Sequence, residues 1–155
     1  MNTENKKGFT LIEMVVSVFI IVVAVVGILQ VTSKYVQQTK FEKEAYVAAL
    51  LGQEGIEIIK NIRDVNWITS AATWNTGLAN GDYEVDYDDS GLAADASRFL
   101  YIDSNGFYNY SSGTATIYKR KITLVNGTDK VSITVNVYWR GHTTTVKEDI
   151  YDWKQ

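Results

Sequence analysis

The feature that most constrains this chain is the stretch from Phe9 to Leu29, in which only Thr10, Glu13, Ser17 and Gly27 interrupt an otherwise apolar run. Its 21 residues, at about 1.5 Å of rise each, give a helix long enough to cross a hydrocarbon core of about 30 Å. Lys6 and Lys7 stand before the run, and Lys34 is the first cation after it. The positive-inside bias therefore keeps the short leading segment cytoplasmic and carries the rest across, in a single pass. A helix this apolar on all sides cannot belong to a water-soluble surface.

Glu13 is the anomaly in this segment. A carboxylate at that depth costs a few kcal/mol even on lenient insertion scales, so it requires a partner or a function. Cleavage of the Gly8–Phe9 bond would free an ammonium one helical turn away, on the same chain or on a laterally packed copy. The residues Lys6-Lys7-Gly8-Phe9-Thr10-Leu11-Ile12-Glu13, followed by the apolar helix, resemble the class III signal of type IV prepilins and pseudopilins. That resemblance implies a leader at 1–8 and cutting by a membrane prepilin peptidase between Gly8 and Phe9. It also implies methylation of the Phe9 amine, and an assembly role for Glu13. Two other readings compete. A secretory signal would end in small residues and be removed whole, and Val25-Val26-Gly27 is a poor version of such a site. A plain single-pass anchor would carry Glu13 incidentally.

Past the membrane segment the chain has room for one modest domain with its own core. It has no cysteine, so packing and not disulfides must hold that domain, and a lipoprotein signal is excluded. The net charge of −3 offers no general attraction to nucleic acid. There is no proline either. Major pilins often carry a helix-bending proline near the membrane span, so the resemblance points to a minor or accessory subunit.

The apolar run passes into Gln30–Lys43 without a breaker, and from Phe41 a stripe recurs at helical steps: Phe41, Ala45, Ala48, Gly55, Ile59 and Ile62, with Leu51, Ile58 and Val65 beside it. Glu54, Glu57, Lys60 and Arg63 fall mostly on the other side. One helix is expected over 9–66, its amphipathic half being 30–66, with Gly27, Gly52 and Gly55 as points of local bending. From there to residue 155 the period falls to two. Tyr83, Val85 and Tyr87 alternate with acids; Val131, Ile133, Val135, Val137 and Trp139 alternate with polar residues. Asn105-Gly106 and Asn126-Gly127 read as hairpin turns, and a last strand over 144–151 follows Gly141. The expected fold is α+β: a long helix packed on an antiparallel sheet of about four to six strands, as in type IV pilins. The segments Glu54–Trp67, Tyr118–Leu124, Val135–Trp139 and Asp152-Trp153 resemble minor pilins of the PilV type.

Little else carries chemistry. His142 is the single histidine, which excludes a His-based metal cluster or a Ser-His-Asp triad and leaves a turn residue; no enzyme and no cofactor are expected. Asp86, Asp88, Ser90 and Gly91 take the first, third, fifth and sixth places of a calcium loop. The twelfth is Ser97, where that loop needs a bidentate Glu, so a solvated acidic loop is the preferred reading. Lys119, Arg120, Lys121 and Arg140 could form a basic patch for DNA, but alternation splits them, and a solvated strand face is preferred. Trp67, Trp74, Trp139 and Trp153 read as core or rim. The functions consistent with these residues are a subunit of a type IV pilus-like filament, a pseudopilin of a type II secretion system, or a membrane-anchored binding domain on the extracellular side. The first two imply as partners other pilin subunits, the prepilin peptidase and methyltransferase, and an inner-membrane assembly platform.

Overall fold

The computed structural model describes residues 8–69 and 73–152. Lys6, Lys7 and Trp153 lie outside the described residues. The chain divides into two units, Met1–Glu42 and Lys43–Gln155.

In the first unit the helix α1, Leu11–Thr69, begins. It starts two residues later than the sequence suggested, and ends three later. Its apolar side chains here have no cover: Leu11, Phe19, Ile20, Ile28, Leu29 and Val31 all lie more than half exposed. The helix is long and apolar enough to cross a membrane.

In the second unit the rest of α1 meets eight strands: β1 (Gly81–Glu84), β2 (Ala93–Ala94), β3 (Tyr101–Ile102), β4 (Tyr108–Asn109), β5 (Thr114–Ala115), β6 (Tyr118–Asn126), β7 (Lys130–Trp139) and β8 (His142–Tyr151). They form an antiparallel five-stranded sheet, ordered β2-β1-β6-β7-β8, and a small three-stranded one, β4-β3-β5. This is the expected α+β, type IV pilin-like architecture, a long helix packed on antiparallel strands. The second sheet, built of two-residue strands, was not foreseen.

Period-two burial works as expected in β7, where Val131, Ile133, Val135, Val137 and Trp139 face inward. Ala48, Leu51, Ile56, Ile58 and Ile59 of α1 join them in one core. α1 remains helical through Gly52 and Gly55. They are the places where the helix lies against the sheet: a Cβ on Gly52 would stand 2.6 Å from Val146 Cγ2, and one on Gly55 3.2 Å from Val135 Cγ1. Phe41 and Val65, assigned to the packing stripe, are exposed, and Ile56, left out of it, is buried.

The acidic stretch gives a shorter strand than its alternation implied. β1 stops at Glu84, Val85 is buried beyond it, and Tyr87 is exposed in a turn, stacked on Phe107. Glu84 is itself buried, because its carboxylate accepts from the N–H groups of Ala96 and Arg98 and from the Arg98 guanidinium. Both Asn-Gly hairpins form. Gly106 takes a φ of 89°, but Gly127 does not adopt positive φ; its N–H bonds to Lys130 O instead. The tight turn before β8 is Arg140-Gly141, with φ of 44° and 77°, the pattern of a two-residue type I′ hairpin.

Arg120 departs most from expectation. Alternation does set it opposite Lys119 and Lys121, but its face is the core and not solvent. One guanidinium nitrogen donates to Leu51 O at 3.2 Å and Glu54 Oε1 at 3.0 Å, and the other to Val85 O at 2.7 Å. Glu54, placed by the sequence on the far side of the helix, is thereby drawn into the interface. Lys119 sits over the Phe99 ring, Lys121 pairs with Asp82, and Arg140 pairs with Glu44 of α1. The four cations therefore do not form one patch.

Candidate functional site

The start of α1 is built by local hydrogen bonding. Gly8, Phe9 and Thr10 are outside any regular element, and the first helical bond runs from Met14 N to Thr10 O. Thr10 is thus the N-cap, and Glu13 is the third residue of the helix. Glu13 Oε2 accepts from the Thr10 N–H at 2.8 Å and from the Thr10 hydroxyl at 2.8 Å, and the Glu13 N–H reaches back to Thr10 Oγ1 at 3.4 Å. This is a capping box of the Thr-x-x-Glu pattern. The pattern is legible in the sequence as Thr10-Leu11-Ile12-Glu13.

Two consequences follow for the carboxylate. Its negative charge sits at the helix end where the dipole is positive. It also has donors from its own chain, the N–H and the hydroxyl of Thr10. The Gly8–Phe9 bond lies just outside the cap, in non-helical backbone, with the Phe9 side chain 79% exposed.

The other candidates hold less. Asp86, half-buried, turns its carboxylate to the Tyr110 N–H at 3.0 Å, while its own N–H donates to Asp89. It is not the solvated acid expected. Burial, then the neighbouring Asp89 carboxylate, raise its pKa above the ordinary range, against the pull of Tyr110 N–H and Arg120. Asp88 and Ser90 are exposed and line a shallow cleft with Asn61, Ile62, Val65 and Asn66. Among the described residues no three His, Cys, Asp or Glu side chains gather to hold a metal ion. His142 follows the Arg140-Gly141 turn and lies against the Trp139 ring. Trp139 is buried, Trp67 and Trp74 half-buried.

Residues 4–29 match a protein-family model, the prokaryotic N-terminal methylation motif. The N-terminal segment carries a type IV prepilin-like signal. Such a motif implies processing by a prepilin peptidase and assembly with other pilins, and it marks a pilin-like structural protein. Together with the uncovered apolar helix it suits a membrane-anchored pilin. No curated protein and no solved structure shows significant similarity to the chain.

Proposed function

We propose that the chain is the precursor of a minor or accessory subunit of a type IV pilus-like filament. Its leader 1–8 is removed between Gly8 and Phe9, with Lys6 and Lys7 as the leader's cytoplasmic charges. The Phe9 amine is methylated, and Glu13 receives that amine as stalks pack together. The segment 9–29 crosses the inner membrane once, amino end inward, until the subunit is drawn into the filament; 30–66 continues the stalk and 67–155 is the domain it displays. The observation that carries this reading is the methylation-motif match, on a helix whose apolar side chains are left without cover. Such a surface is stable only in lipid or against other stalks. The minor-pilin, PilV-like assignment rests on the absence of proline and on the quoted segments.

Glu13 separates two roles that a single substitution would confuse. Glu13→Gln keeps an acceptor for Thr10 and so keeps the capping box, while Glu13→Val removes the charge and the carboxylate half of the box, leaving only the Thr10 Oγ1 acceptor. If the charge serves assembly, both variants insert and are processed, and both are missing from sheared filaments. An unpaired cation brought into a packed bundle costs several kcal/mol. Normal incorporation of Glu13→Gln would overturn the assembly role of the charge and leave Glu13 with its capping role alone.

A further inference from the structure

We propose that β8 is a docking edge for a second copy of this chain, the two strands pairing antiparallel about Glu148. The five-stranded sheet has two edges, and they differ sharply. One is β2, two residues long; the other is β8, which pairs with β7 through ten consecutive residues with no bulge. An edge of that length exposes a row of unpaired backbone groups, which proteins ordinarily shorten, kink or cover.

The register fixes which groups are free. The Arg140-Gly141 turn makes Trp139 and His142 a hydrogen-bonded pair, so His142, Thr144, Val146, Glu148 and Ile150 direct their backbone groups toward β7. Thr143, Thr145, Lys147, Asp149 and Tyr151 direct theirs outward. A second strand must therefore set odd residues opposite odd ones.

Among such registers, charge favours one. Centred on Glu148, the pairing sets Lys147 opposite Asp149 twice, Val146 opposite Ile150, and Thr145 opposite Tyr151. Centred on Lys147, it sets two lysines face to face, which is unfavourable across strands; centred on Asp149, each copy of which is held by Lys130 of its own chain at 2.6 Å, it brings no opposite charges of the two copies together. Centred on Val146, it brings no opposite charges together. The two Glu148 side chains that meet at the two-fold axis are already neutralised, each held by Lys60 of its own chain at 2.7 Å. The contact is isologous and closes at two copies. It concerns the Lys43–Gln155 unit and does not depend on the filament reading.

The chain has no cysteine, so single substitutions report the register directly. In membranes of cells making the full-length chain, Glu148→Cys should form a disulfide-linked dimer under mild oxidation. Val146→Cys should not, because only the central residue of a two-fold pair faces its own copy at a Cα separation near 4.5 Å. Adding Lys147→Asp to Glu148→Cys should reduce the dimer roughly tenfold, two favourable cross-strand pairs having become repulsive. Adding Asp149→Lys as well should restore it. Absence of the Glu148→Cys dimer, a dimer through Val146→Cys in its place, or no response to the charge swap would each overturn the proposal.

Discussion

At the scale of single residues, two buried or half-buried charges show how burial and hydrogen bonding divide the work. Arg120 satisfies two backbone carbonyls and Glu54 at once, so its removal leaves Val85 O and Leu51 O without those donors and opens a cavity. Arg120→Ala should lower the unfolding free energy by about 3 kcal/mol, a large fraction of a small domain's stability, measured by denaturant titration in detergent. Asp86 works in the opposite sense. A carboxyl whose folded pKa lies above its unfolded one contributes stability below the unfolded value, near 3.8, and loses it as pH rises through the folded value. Ionised Asp86 is therefore a burden at pH 7. Asp86→Asn, which still offers an oxygen to Tyr110 N–H, should raise the thermal midpoint at pH 7, with the gain vanishing toward pH 3. A lower midpoint at pH 7 would show that the charge on Asp86 is needed. Addition of calcium should leave the midpoint of the unsubstituted chain unchanged, since a ligand stabilises only the form that binds it.

At the scale of elements, the close approach of α1 to the sheet decides what the helix tolerates. Replacing glycine by alanine inside a helix normally gains about 1 kcal/mol. At Gly52 that gain meets a methyl of Val146, whose β-branched side chain has little freedom to move aside. Gly52→Ala should therefore be destabilising by about 1–2 kcal/mol, as an overpacked core. Gly55→Ala, whose nearest contact is Val135 at 3.2 Å against 2.6 Å at Gly52, should cost clearly less, the smaller overlap being offset by the helix gain. Equal effects of the two would contradict this packing. The elements themselves were largely legible in the sequence. The apolar stretch with its amphipathic continuation, and the strict alternation in β7, each carry a single periodicity that backbone geometry enforces. What escaped were features set by long-range partners: the burial of Glu84 against Arg98, the inward face of Arg120, and the two-residue strands of the small sheet. No local pattern announces which acid will be buried or which cation the core will accept.

At the scale of the whole molecule, the processing signal was readable because its residues are contiguous: basic residues, glycine, an apolar helix and one acid. The capping box hidden within it was readable too, and it gives Glu13 a structural task before any partner arrives. In the proposed precursor the two halves of the signal would have separable requirements, a cap that starts the helix after the proposed cleavage point and a charge available for the proposed assembly. The central claim is that the chain is a precursor cut between Gly8 and Phe9. Its most direct test is the intact mass of the protein extracted from membranes of cells that carry a prepilin peptidase. The account predicts a chain beginning at Phe9 and bearing one methyl group on its amine. A chain that still begins at Met1, or one that begins after Gly27, would contradict it.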